Sequence, residues 1–263
     1  VTNYWLGLDA GTTSIKAALF DDQGQCLGIS REEYQLITPS PEQAELEPEI
    51  YWLSSLRAVQ SAIQKAGVNP RQVKAITVSS QGETVIALNQ AGEPLRPALV
   101  WLDNRAVPQA EWLASHFDPG TVYEITGIPG IVPNWSACKI RWIRENEPEL
   151  FDRVYKYTLV QDYLIYRLTG EYITDGSVSC TTLYYDLRRH QWWPEMLEAV
   201  GISPAQLPRI TQPGESNGCL TPQAAEEMGL ATQTQVVNGG MDQAAGAVGA
   251  GNVHPNMVSE TTG

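Results

Sequence analysis

With 263 residues, 43% hydrophobic and 18% charged, the chain has an ordinary globular composition, long enough for one large α/β domain or two small ones. A formal net charge of −13 argues against nucleic acid or an anionic membrane as partner; no window has the apolar length of a membrane span and no signal pattern opens the chain, so a cytoplasmic location is expected. Cys26, Cys138, Cys180 and Cys219 are scattered without a CxxC pair and His116, His190 and His254 lie far apart, which suits reduced structural thiols and gives no support to a metal cluster or a His-based site.

The first third reads as strands, a helix and strands again. Residues 4–9, 15–20 and 26–34 are extended runs forming a meander, turned first through Ala10-Gly11-Thr12-Thr13 and then through Asp22-Gln23-Gly24-Gln25. A helix follows with Pro48 in its first turn and Gly67 at its end, its apolar face marked by Trp52, Leu53, Leu56, Val59 and Ile63. Residues 73–78 and 84–88 are short strands separated by Ser79-Ser80-Gln81-Gly82-Glu83, and residues 97–102 form a third apolar run leading to Asp103.

The middle is mostly helical. Helical spacing covers residues 108–117, 136–146 and 157–168, the last stopped by Gly170, before a short strand at 171–174. Shorter helices at 191–201 and 222–229 flank a Pro-rich connection at 204–213. A strand at 234–237 opens into Asn238-Gly239-Gly240-Met241-Asp242, and residues 243–251 read as a Gly/Ala-rich helix. Gly disfavours a helix interior by about 1 kcal/mol, so Gly246 and Gly249 require close backbone packing or a hinge. The extended pair 257–258 before Ser259-Glu260-Thr261-Thr262-Gly263 signals a further strand, with the chain cut inside a motif.

Four carboxylates share one context. Asp9, Glu83, Asp103 and Asp242 each stand at or just beyond the carboxyl end of a predicted strand, the rim where open α/β sheets bind ligands. Each has a plainer alternative: a turn residue, a solvated loop charge, and N-caps for the helices ahead. Gly11 can take φ > 0, and with the Thr12 and Thr13 hydroxyls and the turn's N–H groups it can make an anion-binding concavity, with Asp9 holding a hydrated metal ion; the alternative is a bare hairpin corner. Trp101 can stack on a sugar face or fill a core. Lys16 is within reach of a phosphate, or is a solvated strand residue. Lys139 and Trp142 read most simply as one exposed charge and one packed aromatic.

LDAGTTSIK (8–16), VWLDNRA (100–106), SACKIRWIREN (136–146), DYLIYRLTGEYITD (162–175) and GGMDQAAGAVGAG (239–251) occur in this order and together resemble the FGGY family of carbohydrate kinases, particularly its xylulokinase-like members. The resemblance implies a ribonuclease H-like (actin-like ATPase) α/β fold. Residues 1–252 would form the first lobe of a two-lobed sugar kinase and residues 253–263 the start of the second. It implies transfer of the ATP γ-phosphoryl group to a sugar hydroxyl with Mg²⁺. By motif, Asp242 resembles the catalytic base and Gln243 its substrate-contacting neighbour. Asp9 resembles the metal site and Gly11, Thr12, Thr13 and Lys16 the first phosphate loop. Gln81, Glu83, Trp101 and Asp103 match substrate-binding positions, and Thr261, Thr262 and Gly263 the start of the second phosphate hairpin.

Two departures bear on the acceptor. Xylulokinases commonly read QMHG and glycerol kinases QRET where this chain has Gln81-Gly82-Glu83-Thr84, and Asn134 stands where the signature around Lys139 has an aromatic or small residue. The expected acceptor is a ketopentose such as xylulose or ribulose; the alternatives are another ketose, a polyol such as glycerol, or a nucleotide-switched module with no sugar substrate. Small-molecule sugar and ATP are the expected partners, a homodimer is left open, and residues 1–263 alone are expected to fold without useful turnover.

Overall fold

In the computed structural model, which describes residues 2–260, the expected meander is present. β1 (Tyr4–Ala10), β2 (Ser14–Phe20) and β3 (Cys26–Glu33) pair antiparallel, with Asp9 opposite Lys16. The two-residue period sends Leu6, Leu8 and Ala10 of β1 and Ile15, Ala17 and Leu19 of β2 to one buried face. After β4 (Glu45–Leu46), α1 (Pro48–Ala66) lies on that face through Tyr51, Trp52, Ala58, Val59 and Ala62. It starts on Pro48, where a missing N–H costs nothing, and stops at Gly67, whose left-handed backbone (φ 65°) returns its N–H to the oxygens of Ile63 and Gln64. Leu53 lies outside the buried stripe and is exposed.

β5 (Val73–Ser80) runs parallel to β1. The chain then leaves the sheet to build a second core. β6 (Ile86–Leu88), β7 (Ala98–Leu99), α2 (Val107–His116), α3 (Pro119–Thr126), α4 (Ser136–Asn146), α5 (Pro148–Phe151) and β8 (Lys156–Thr158) belong to this excursion. Val85, Leu99, Leu113, Ile140, Ile143 and Tyr157 pack together in it. The helix expected from residue 157 therefore starts later: Tyr157 and Thr158 pair with Ala87 and Ile86 as strand, and α6 (Val160–Thr169) follows.

α6 returns to the first core, followed by β9 (Ile173–Asp175) and α7 (Gly176–Ser179). β10 (Tyr185–Asp186) and β11 (Gln191–Trp192) pair, so the helix expected from 191 begins only at Pro194, as α8 (Pro194–Val200). β12 (Arg209–Thr211), β13 (Ser216–Cys219), α9 (Pro222–Met228), β14 (Gln235–Met241) and α10 (Asp242–Gly249) complete the described chain. The strand expected at residues 257–258 does not form. Thr261, Thr262 and Gly263, expected in a second phosphate hairpin, lie outside the described residues.

The central sheet has the order β13-β14-β5-β1-β2-β3, with β14, β5 and β1 parallel neighbours whose carboxyl ends share one edge. α1, α6 and α9 cover one face. α10 runs against the sheet on the other side without burying a single residue, and a Cβ built on Gly246 or Gly249 meets nothing within 4 Å. The close packing expected of these two glycines is thus absent among the described residues. No helix of these residues is long and apolar enough to cross a membrane.

Candidate active site

The three parallel strands deliver three of the four sequence-selected carboxylates to one edge. Asp9 of β1 and Gly240 of β14 both align with Ser79 of β5, Asp242 lies two residues beyond Gly240, and Glu83 follows the end of β5 by three. Their fields overlap. Partial burial above all, and Asp9 with it, raise the Asp242 carboxyl from its ordinary value, against the Gln243 N–H and Lys16, which lower it. Glu83 is raised by burial and by Asp242, with Lys139 pulling the other way.

At the β1–β2 corner, Asp9 Oδ2 meets Lys16 Nζ at 3.4 Å, while Asp9 Oδ1 is buried and has no hydrogen-bond partner among the described residues. Gly11 does not use its access to positive φ; its N–H donates to the Ser14 oxygen (3.0 Å), and Tyr34 Oη donates to the Gly11 oxygen (2.5 Å). The N–H groups of Thr12 and Thr13 carry no hydrogen bond within the described chain. Trp101 Nε1 donates to Thr12 Oγ1 (2.8 Å), so the indole is tied to the phosphate-loop candidate and remains half-buried. Its backbone is fixed on both sides, by Thr84 Oγ1 accepting its N–H and Asn134 Nδ2 donating to its oxygen. Asn134, the departure noted in the sequence, is therefore a tether for Trp101.

Glu83 occupies left-handed backbone at φ 59°, a conformation unusual for a residue with a Cβ. Lys139 Nζ and Ser136 Oγ, both on α4, donate to its backbone oxygen at 3.2 and 3.3 Å. Its carboxylate makes no hydrogen bond among the described residues. Gln81, nearly buried, donates through Nε2 to Tyr51 Oη (3.0 Å), and its Oε1 is buried without a partner.

Two expectations need correction. Asp103 is not available to a sugar: it is fully buried, its Oδ1 accepts the Arg105 N–H and Nε, and its Oδ2 accepts the Ala44 N–H and Arg105 Nη2 (2.8 Å each). It closes a loop instead of lining a cleft. Lys139, read as an exposed charge, is at 0% exposure one of the largest fully buried side chains, and burial brings its pKa down to about 7 against the upward pull of Glu83 and Asp103. Trp142 is the more open of the pair, half-buried with the Arg105 and Arg96 guanidinium groups 4.9 and 5.5 Å from its ring centre. The signal for Lys139 lay in its neighbours: Cys138 and Ile140 flank it and Ile143 stands one turn on, all buried.

Asp242 is the first residue of α10, not its N-cap, and its Oδ1 accepts the Gln243 N–H at 2.7 Å. It follows a bulge in β14 between Asn238 and Gly240. Gly239 lies so close to β5 that a Cβ there would stand 2.6 Å from the Val78 oxygen, and Gly240 takes φ 96°. Gln243 is exposed beside Asp242. A cavity of about 660 Å³ lies under α10 and meets the site through Asp9 and Lys16.

No group of three or more Asp, Glu, His or Cys among the described residues is arranged to cage a metal ion. A magnesium ion needs less, because it keeps waters and phosphate oxygens and takes one or two carboxylates. The unpartnered, buried Asp9 Oδ1 fits that requirement.

The profile described as the FGGY family of carbohydrate kinases, N-terminal domain, matches residues 4–249. The chain belongs to this family. Among curated FGGY relatives, the xylulose kinase of Escherichia coli K12 is 33% identical over 98% of this chain and 52% of its own length. The glycerol kinase of Thermococcus gammatolerans is 33% identical over 99% of this chain and 52% of its own. The crystal structure of xylulose kinase from Rhodospirillum rubrum superposes with a TM-score of 0.91 at 27% identity, over 96% of this chain and 52% of that one. The FGGY chain described here thus spans about half the length of the curated relatives it matches, and its fold is the ribonuclease H-like α/β fold of actin-like ATPases.

Proposed function

We propose that this chain is the first lobe of an ATP-dependent carbohydrate kinase, residues 1–252, with residues 253–263 leading into a second lobe. Its acceptor is a small sugar, a ketopentose such as xylulose or ribulose. The observation that carries this reading is the convergence of Asp9, Glu83 and Asp242 at the ends of three adjacent parallel strands, beside a Thr-bearing turn with free N–H groups.

In this reading Asp242 takes the proton of the attacking hydroxyl. An aspartate is too weak a base to remove it beforehand, so transfer is late, as the oxygen bonds to phosphorus. Gln243, Glu83 and the unpartnered Gln81 Oε1 hold the acceptor's hydroxyls, and Trp101 offers its indole as a platform. The amides of Thr12 and Thr13, with Lys16, hold phosphate oxygens of ATP. Asp9 would hold Mg²⁺, which supplies charge neutralisation on the transferring phosphoryl group. What the chain contributes is positioning and preorganised charge.

Glycerol kinases match this chain as well as xylulose kinases do, so a polyol acceptor is the second reading. The test is a phosphorylation screen of ketoses and polyols with the full-length protein, run beside Asp242→Asn. Sugar-dependent ADP release that falls roughly 10²–10⁴-fold in the variant is the expected result. ATP hydrolysis indifferent to every sugar and polyol, or near-normal turnover in Asp242→Asn, overturns it.

A further inference from the structure

The backbone just ahead of Asp242 hangs on one buried carboxylate. The Gly240 N–H donates to Gln161 Oε1 (3.1 Å), and Gln161 Nε2 donates to Asp175 Oδ2 (2.6 Å). The next N–H, of Met241, donates to Ser177 Oγ (3.0 Å), and that hydroxyl donates to Asp175 Oδ1 (2.5 Å). Two parallel relays therefore join consecutive amides at the β14 bulge to the two oxygens of Asp175. The same carboxylate caps α7 by accepting the Ser177 and Val178 N–H groups. Gln161 also reaches the neighbouring strand end: its N–H donates to Ser80 Oγ (3.1 Å), whose hydroxyl donates to the Gln81 oxygen (2.8 Å).

Asp175 is at 0% exposure and forms no ion pair among the described residues. A carboxylate without a cation in such a place is costly, and its neutral donors offset that cost only while each keeps its geometry. Stability alone is met more cheaply by apolar packing. What a fully satisfied polar network adds is a single arrangement of the groups it ties together. Here those groups are the amides that set the exit direction of β14 and, through Gln161, the start of the Glu83 loop.

We propose that Asp175, Gln161 and Ser177 are positioning residues: together they fix where the Asp242 carboxylate points and hold it in register with the Glu83 loop. This rests on the reading of Asp242 as the proton acceptor. None of the three touches the reacting atoms; each acts through the backbone at 240–241 or at 80–81.

The test is a double-mutant cycle in the full-length protein. Ser177→Ala strips the Met241 N–H of its acceptor and is expected to lower kcat about 10–100-fold, the scale of an ångström misplacement, with the KM values for sugar and ATP held within about twofold. In the Asp242→Asn background the same change should cost nothing further, because aiming an absent base has no effect on rate. A purely structural role gives losses that multiply in the double variant. Normal kcat in Ser177→Ala, or multiplying losses, overturns the proposal and leaves the role of Asp242 standing. Undiminished turnover in Asp242→Asn removes both. Gln161→Met cuts the second relay and gives the same readout if Ser177→Ala does not fold.

Discussion

The buried ammonium of Lys139 donates to the backbone oxygen of Glu83 at 3.2 Å, across a separation of 56 residues in the chain. The bond anchors a residue held at φ 59°, where an L-side chain is strained, and does so from another core. Lys139→Met is therefore expected to relax the Glu83 loop and raise the sugar KM of the full-length protein roughly tenfold, the loss of about 1–2 kcal/mol. Stability should hold or increase, because a desolvated charge is removed. Steady-state kinetics beside thermal denaturation checks both; an unchanged KM with a lower Tm would mean that Lys139 serves packing alone.

Asp103 gives the opposite pattern. Removing it leaves the Arg105 guanidinium with Glu45 as its remaining acid at 2.7 Å and leaves the buried Ala44 N–H unpaired. Asp103→Ala should cost about 3–5 kcal/mol of stability, as for a broken buried pair, while the folded fraction keeps its sugar KM. Chemical denaturation and kinetics at low temperature separate the two effects.

Stability should carry a pH signature from Asp162. Burial raises its carboxyl to about 7 from the ordinary value of 3.8, against the Leu159 N–H it accepts. A carboxyl that binds its proton more tightly when folded favours the native state at low pH. That advantage is complete below about pH 4 and is lost as pH rises to 7. Asp162→Asn keeps a cap for α6 and should be more stable than the parent above pH 7, by on the order of 2 kcal/mol, but not below pH 4. Urea midpoints across pH 4–8 measure this; parallel curves for the two proteins would contradict it.

The β14 bulge can be probed without touching a polar group. In Gly239→Ala the new methyl would stand 2.6 Å from the Val78 oxygen and 2.8 Å from its carbon, both backbone atoms that cannot swing away. Separation of β14 from β5 should cost roughly 1–3 kcal/mol, and kcat should fall with it as Asp242 is displaced. A variant with unaltered Tm and kcat would show that the bulge does not set the position of Asp242.

Much of this architecture is legible locally. The Pro48 start and Gly67 stop of α1, the limits of α4 at Ser136 and Asn146, and the Asp9 hairpin all follow from caps, periodicity and turn chemistry. Two stretches that read as helix were hidden because strand pairing decided them, one distant in the chain and one within a short hairpin. Tyr157 and Thr158 leave their helical pattern to pair with residues 86 and 87, and Gln191 and Trp192 pair with residues 185 and 186. The burial of Lys139 is not legible in the sequence because a lysine is rarely buried fully, and its partner is a carbonyl that no side-chain pattern announces. The Asp175 relays escaped for the same reason: the groups they serve are amides, present at every position but Pro. Strand ends bring Asp9, Glu83 and Asp242 to one sheet edge; Asp103, chosen by the same rule, is instead bonded by Arg105, two residues on.

The two cores have a consequence for how specificity in this scaffold can be altered. Asp9 and Asp242 are set by the sheet, whereas Glu83 and Trp101 take their anchors from Ser136, Lys139 and Asn134, at or next to the start of α4 in the excursion. The sugar end of the candidate site therefore has anchors of its own in the excursion, joined to the phosphate end at two points, Trp101 on Thr12 and Gln161 between Ser80 and Gly240. Substitutions beneath α4 would move the acceptor end first and reach the phosphate end only through those two ties, so a directed-evolution library should diversify α4 and its packing partners and leave the strands, Thr12 and Gln161 untouched.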